Sequence, residues 1–372
     1  MTTHFPPPTT PPLPHVQTPP ADPSLGRSAK SVDADPSEAV RSRRSHRFAL
    51  QRQAARLLTK QRVCHCRWSV SDNSIGASIH RRESRARFAG LQTCGSVWHC
   101  PVCSHIISER RRVELNEALS QARSLELIPV LITLTFSHKL GEPLPDLLKA
   151  MKNAKKHFHM SRTYRNFKPR IAGTITATEI TKGENGWHPH FHILMFLRGD
   201  LYAAMSDNFT EALAQQWRSS LEKFGRFGNH RSFDFQMGDA AGQYVAKWGV
   251  GEELTLGEKK SGKGLHPFQL LEASKHDKSA TAAFMEYALA FKGSRQLLWS
   301  PGLKDLLSVD VLDDDTISEQ MPDNQDEWLM TIRRDDWNEQ RHRGRSKILD
   351  AAEAGHEHLT NLLQTPFVDL EV

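Results

Sequence analysis

Hydrophobic positions recur with two different periods along the 372-residue chain, and each change of period marks an element. Ile128–Phe136 is short, β-branched and bounded by polar residues, which predicts a buried strand. Arg170–Thr181 and His188–Leu197 predict two more strands. The Lys-Gly-Glu-Asn-Gly-Trp between them supplies turn chemistry at Gly183 and Asn185-Gly186, so the two read as a hairpin. Apolar residues return at three- and four-residue spacing in Leu144–Phe158, through Leu147, Leu148, Met151 and Ala154. The same spacing recurs in Phe209–Phe224, through Leu213, Trp217 and Leu221, and both segments predict amphipathic helices. Further helices are predicted at Ala49–Thr59, Ile106–Leu125, Gln243–Trp248 and Ala280–Ala290, and a strand at Arg231–Gln236. The order over about 128–250 is strand–helix–strand–strand–helix–strand–helix, which predicts an α+β fold: an antiparallel sheet with helices on one face. A doubly wound sheet is disfavoured, because the central pair is a hairpin and no Gly-rich phosphate loop follows a strand.

Composition adds the ends of the chain to this picture. Nine of the 20 prolines fall in the first 23 residues, so residues 1–45 read as a disordered lead. Charge is segregated: residues 1–125 carry 19 Lys+Arg against 9 Asp+Glu, whereas 301–372 carry 7 against 17. A basic front half of that kind suits a polyanion, since each phosphate neutralised releases counterions. No apolar run approaches the ~18 residues of a membrane span, and the N-terminus lacks a signal peptide's basic start and apolar block. The expectation is a soluble, cytoplasmic protein with no membrane partner. Five cysteines, four of them in Cys-x-Cys and Cys-x-x-Cys pairs, point to metal more than to disulfides. Four parts follow: the lead (1–45), a small basic zinc-binding module (46–125), a catalytic domain (126–305) and an acidic, partly helical tail (306–372).

The candidate chemistry begins with His188-Pro-His190-Phe-His192. Alternation on a strand places the three imidazoles on one face, where two can chelate one ion. Glu179, across the hairpin, shares that face if it lies opposite His190. Two histidines and a carboxylate suit Mn²⁺ or Mg²⁺ with open positions, a pattern that fixes a metal but not a reaction. Tyr244 and Lys247 stand one turn apart on a predicted helix, and a nearby cation would favour the phenolate of one of only four tyrosines. Cys94, Cys100 and Cys103 supply three thiolates for tetrahedral Zn²⁺. Either Cys64 or Cys66 supplies a fourth, with His65 and His99 as further possible ligands. Arg81, Arg82, Arg85, Arg87, Arg110, Arg111 and Arg112 surround them, and the expectation is that they grip duplex DNA. Thr133 and Thr135 share one strand face beside the candidate site. Trp187, Trp217, Trp248 and Trp299 are candidate base-stacking residues, although Trp217 sits on an apolar helical stripe.

Taken together, these stretches resemble the HUH superfamily of single-strand DNA nucleases, and within it the rolling-circle replication initiators of small bacterial plasmids. The matching blocks are Ile132-Thr-Leu-Thr-Phe-Ser-His138, Asn185-Gly-Trp-His-Pro-His-Phe-His192, Tyr244-Val-Ala-Lys247, Cys94 to Cys103, and Glu286-Tyr287 through Ala290 to Ser300. They cover about residues 60–305. The resemblance implies an RRM-like HUH endonuclease sheet. His190 and His192, with Glu179 or else His188, would hold the divalent metal. Tyr244 would attack to leave a 5′-phosphotyrosyl link and a 3′-OH primer, and Lys247 would stabilise the phosphorane. It favours Cys66 over Cys64, and it implies plasmid origin DNA, a host helicase and a polymerase as partners. Some relatives carry a glutamate one turn before the tyrosine; here that position is Ala240, with Asp239 beside it. The rival readings are a single-strand DNA transposase of the same chemistry and a non-catalytic, zinc-dependent DNA-binding regulator.

Overall fold

A computed structural model of the chain describes residues 36–199, 207–237, 240–247 and 264–366. The chain divides into two compact units, 1–40 and 41–372. Only the opening turn of the first helix is described for the former, and everything below concerns the latter. Asp239 and Trp248 lie outside the described residues, as do residues 1–35 of the expected lead.

The elements run in order α1 (Pro36–Leu57), β1 (Gly76–Arg82), β2 (Arg85–Ala89), α2 (Pro101–Ser124), β3 (Ile128–Leu134), α3 (Leu144–Met160), α4 (Arg162–Phe167), β4 (Ile171–Gly183) and β5 (Gly186–Leu197). Next come α5 (Asp207–Glu222), β6 (Phe233–Gln236), α6 (Ala240–Lys247), α7 (Pro267–Ala273), α8 (Lys278–Ala290), β7 (Leu297–Trp299), α9 (Leu303–Leu306) and α10 (Asp314–Glu319). The chain closes with β8 (Glu327–Arg333), α11 (Arg334–Gln340), α12 (Arg345–Ala354) and α13 (His356–Gln364). None of the described helices is long and apolar enough to cross a membrane.

Two sheets organise the chain, a five-stranded one in the order β6-β3-β5-β4-β7 and a three-stranded one in the order β2-β1-β8. All pairings within them are antiparallel. The α+β class holds. The larger sheet is built on the β4–β5 hairpin, whose Gly183 pairs with Gly186 across a two-residue turn. Gly186 has φ +92°, and a Cβ there would crowd the Lys139 carbonyl oxygen at 3.1 Å, so glycine is required. One face presents Ile132, Leu134, Phe191, Ile193 and Met195 to the apolar stripes of α3 (Leu147, Leu148, Met151, Phe158) and α5 (Leu213, Trp217, Leu221). Each such side chain contributes about 1.5–3 kcal/mol when fully buried. The opposite face, with Ile175, Ala177, Leu194 and Phe196, packs on Leu115, Ala118 and Leu119 of α2 and on Ala241 and Val245 of α6. Helices therefore cover part of the second face as well, and α2 joins the cysteine-rich module to the sheet.

The three-stranded sheet departs from the expected division of the chain. The described residues after 305 include its third strand: β8 pairs with β1 from Gly76 opposite Arg333 to Arg81 opposite Glu327. Gly76 permits this approach, since a Cβ would collide with the Ile332 backbone. Trp337, Ile348, Leu349 and Ala352 of the C-terminal helices then share a core with Phe48, Leu50, Ile79 and Phe88. Residues 41–45 lie on α1, and Arg44 bonds to Asp350 and Glu353 of α12.

Candidate functional site

The register of the hairpin builds the first cluster. Glu179 pairs with His190 and Ala177 with His192, so the carboxylate and both imidazoles emerge on one face. Their ligand atoms all lie within 4.8 Å of one another. Glu179 Oε2 is 3.0 Å from His190 Nε2 and 2.7 Å from His192 Nε2. Thr133, opposite His192 on β3, places Oγ1 3.0 Å from His192 Nδ1. With the hydroxyl accepting from Nδ1–H, the Nε2 that faces Glu179 is the atom a bound cation would take in place of its proton, the usual arrangement behind a metal-binding imidazole. Two imidazoles and one carboxylate converging with open positions fit a divalent cation. Burial works against the charge of Glu179, yet the bonds from His190 and His192 hold its carboxyl well below the usual range.

His188 is placed differently. Its Nδ1 lies 2.9 Å from His138 Nε2, and His138 Nδ1 lies 3.0 Å from the Asn185 carbonyl oxygen. Because a carbonyl only accepts, His138 donates from Nδ1 and accepts from the Nδ1–H of His188. Burial, then the facing His190 and His138, push His188 down to about 4, so it is neutral near pH 7. His188 thus braces the turn and is not brought into the Glu179–His190–His192 group. His138, at the end of the first matching block, was not singled out by residue type, since an isolated histidine after a strand carries no spacing signal.

α6 lays Tyr244 over the same face, with its ring centroid 4.7 Å from that of His192. Burial and the Glu179 carboxylate both push the phenol well above its ordinary value. The backbone of Lys247 ends α6, while its side chain lies outside the described residues. Trp187 and Trp217 are not available for stacking on bases. Both are buried, with Trp187 Nε1 donating to Glu286 Oε2 and Trp217 Nε1 to the Thr135 carbonyl. Glu286 also accepts from the Leu144 amide at the start of α3, so this acid in the last matching block ties α8 to α3 and to the hairpin. Trp299 is half-buried on β7.

The second cluster is Cys66, Cys94, Cys100 and Cys103, all buried. Their Sγ separations are 3.5 Å (66–103), 3.7 Å (94–103) and 3.8 Å (66–100). Four sulfurs at ~2.3 Å from a tetrahedral Zn²⁺ stand about 3.8 Å apart, so the set fits that ion. Cys100 caps α2, its Sγ 3.4 Å from the Cys103 amide, with Pro101 opening the helix. Cys64 points instead at the Ala55 and Leu58 carbonyls and stays outside the set. His99 is held by the Ala288 carbonyl, also away from the sulfurs.

The arginines expected to grip DNA are for the most part already engaged. Arg81 pairs with Glu327, Arg82 with Asp323 and Asp326, and Arg87 with Asp326, all on or beside β8. Arg111 is buried between Glu114 and Asp314, Arg110 pairs with Glu114, and Arg112 with Glu109. Among the seven only Arg85 is exposed. The acidic segment that follows residue 305 thus supplies partners to Arg81, Arg82, Arg87 and Arg111, while Arg110 and Arg112 pair within α2.

Comparison with known proteins then bears on the same residues. A family model described as a replication protein matches residues 85–238, from β2 to just past β6. Residues 85–238 are thus similar to a replication-protein domain. The match takes in Glu179, His190, His192 and three of the four clustered cysteines, and it ends before Tyr244. A protein named "Protein rep" from Streptomyces lividans is 24% identical over 295 residues, covering 59% of this chain and 65% of that protein. A "Neomycin resistance protein" from Streptomyces cyanogenus is 29% identical over 156 residues, covering 34% of this chain and 36% of that protein. A "Protein rep" from Lactiplantibacillus plantarum is 22% identical over 126 residues, covering 33% and 40% respectively. The chain thus spans less than two thirds of each curated relative, and no solved structure matches it significantly.

Proposed function

We propose that the chain initiates rolling-circle replication of a bacterial plasmid by nicking one origin strand through Tyr244 and later rejoining it. The observation that carries this is the placement of the Tyr244 ring against His192, within a Glu179–His190–His192 group fit for a divalent cation. A cation held there, Mn²⁺ or Mg²⁺, supplies Lewis-acid polarisation of the scissile phosphate. The Tyr244 phenolic oxygen attacks phosphorus as the P–O3′ bond breaks. The phenol proton passes to water and the departing 3′ oxygen takes a proton from water, leaving a 5′-phosphotyrosyl link and a free 3′-OH. That 3′-OH is the end a host polymerase extends, behind a helicase. In the joining half-reaction an incoming 3′-OH displaces the tyrosine, restoring the phenol and a phosphodiester. Lys247 neutralises charge on the phosphorane. Thr133 holds His192, and His138 with His188 holds the hairpin end. The four cysteines bind structural Zn²⁺ and fix α2 against the sheet.

Single-stranded oligonucleotides tiled across the cognate origin test the reading. Cleavage of one tile with Mn²⁺, lost in His190→Ala and His192→Ala, is expected. Cleavage that persists in both variants would remove the metal role, and binding without cleavage of any tile would favour a DNA-binding regulator. Cleavage at the ends of a mobile element in place of the origin would favour a transposase.

A further inference from the structure

With the β1–β2 arginines paired to the acidic segment, a different set of cations is left over. Arg52 and Arg56 stand one turn apart on α1, Arg341 follows α11, and Arg345 opens α12. Three of these guanidiniums surround Trp68, with Arg52 at 4.3 Å, Arg341 at 4.7 Å and Arg345 at 5.2 Å from the ring centroid. Arg52, Arg56, Arg345 and Trp68 line a cleft of about 260 Å³ beside Cys64 and Cys66. Among the described residues, none of the four arginines forms an ion pair with a carboxylate. Crowding of like charges is unfavourable, and burial followed by a neighbouring arginine lowers both Arg52 and Arg341.

The four do not all have the same role. Arg345 is only 4% exposed and donates to Gln51 Oε1 and to the Cys66 and Arg67 carbonyls. Gln51 in turn donates to Cys100 Sγ at 3.0 Å. Arg345 therefore serves the cysteine cluster, as a counter-charge behind the thiolates. Arg52 and Arg56 are exposed, and Arg341 is half-buried, with Nη1 donating to the Trp68 carbonyl at 3.0 Å. Packing on an indole fixes the direction of a guanidinium without neutralising it, so its donors stay available to an anion.

We propose that Arg52 and Arg56, which line this cleft, and Arg341, which shares the Trp68 ring with Arg52, bind phosphates of the backbone of duplex DNA. Guanidinium forks match phosphate oxygens. The Trp68 ring is already occupied by guanidiniums, so the ligand is a phosphate and not a stacked base. Lys60, exposed in the turn after α1, continues the four-residue spacing of Arg52 and Arg56, and a row of cations suits a repeating anion better than a single free one. The cleft is distinct from the Glu179–Tyr244 site, and the proposal stands or falls independently of nicking.

The test uses the full chain as wild type, Arg52→Gln/Arg56→Gln, Arg341→Gln, and a charge-matched control, Lys149→Gln/Lys152→Gln, on the exposed side of α3. Affinity for a random-sequence duplex is read by fluorescence anisotropy over a salt series. Each lost phosphate contact removes roughly 0.9 from the log–log salt slope. A flatter slope in both arginine variants, with the control unchanged, is expected. An unchanged slope in the arginine variants, or an equal loss in the control, overturns the proposal. A second arm adds inorganic phosphate in a thermal-shift assay. A phosphate-dependent rise that the double arginine variant abolishes, with its duplex slope intact, would make the ligand a free anion and overturn the assignment to DNA.

Discussion

Thr133→Val is the substitution that most cleanly separates the metal site from the fold around it. Thr133 lies opposite His192 in the β3–β5 register, and its Oγ1 is 3.0 Å from His192 Nδ1. Valine keeps the β-branch and nearly the volume, so the strand is preserved while the one acceptor on the imidazole disappears. The Nδ1–H then has no fixed partner and the ring loses the orientation that aims Nε2 at Glu179 and His190. Loss of a hydrogen bond of this type typically costs 10–100-fold in metal affinity, which is roughly 1.4–2.8 kcal/mol. Calorimetric titration with Mn²⁺ reads the effect directly, with thermal unfolding of the metal-free chain as a check on the fold. Thr133→Ser, which restores the hydroxyl, should recover most of the affinity. Wild-type Mn²⁺ affinity in Thr133→Val, or no recovery in Thr133→Ser, would refute the positioning role.

Three further outcomes follow from the geometry. Wild type and Cys64→Ser should each carry one zinc per chain by elemental analysis, whereas Cys66→Ser should carry none and lose a folding contribution on the order of 10 kcal/mol; the reverse pattern would reassign the fourth ligand. Trp337 is fully buried and its Nε1 donates to the Trp68 carbonyl at 3.0 Å, so Trp337→Ala should cost about 3–5 kcal/mol in urea unfolding. A loss well below 1 kcal/mol would mean that the C-terminal segment is not part of the core. Burial is the largest single influence on Glu353 and opposes its charge, but the bonds from Arg44 and the Ala86 amide, with the charges of Arg44 and Arg41, together lower its carboxyl below the ordinary 4.5. A depressed folded value means the stabilisation is complete above about pH 4.5 and is lost as pH falls through the lower value. Glu353→Gln should accordingly flatten the acid limb of the unfolding curve, and an identical limb would count against the pairing.

The parts of this molecule that sequence makes legible are those whose signal is local. The β4–β5 hairpin announces itself through β-branched alternation and a Gly-Glu-Asn-Gly turn, and Glu179 lies opposite His190, one of the registers that the loop permits. α3 and α5 are equally plain, because each carries its own apolar stripe. β1 is not legible: Gly-Ala-Ser-Ile-His-Arg-Arg has little apolar alternation, and it becomes a strand because β8, some 250 residues later, pairs with it. Where the acidic, partly helical segment after residue 305 packs is not legible for the same reason. Its carboxylates answer arginines that are distant in sequence, and charge complementarity at that range has no periodicity to detect. Cys64 and Cys66 are indistinguishable by spacing, and only the path of the loop after α1 turns one thiol inward and the other toward helix carbonyls.

The proposed role of Tyr244 is that of nucleophile in a metal-dependent nicking reaction. It is tested most directly by incubating wild type and Tyr244→Phe with the cognate origin strand and Mn²⁺, then resolving covalent protein–DNA species on a denaturing gel. Wild type is expected to give an adduct that disappears with chelator and in Tyr244→Phe, with the bound nucleotide mapped to the peptide containing Tyr244. An adduct of undiminished yield in Tyr244→Phe, or one mapped to another residue, would contradict it.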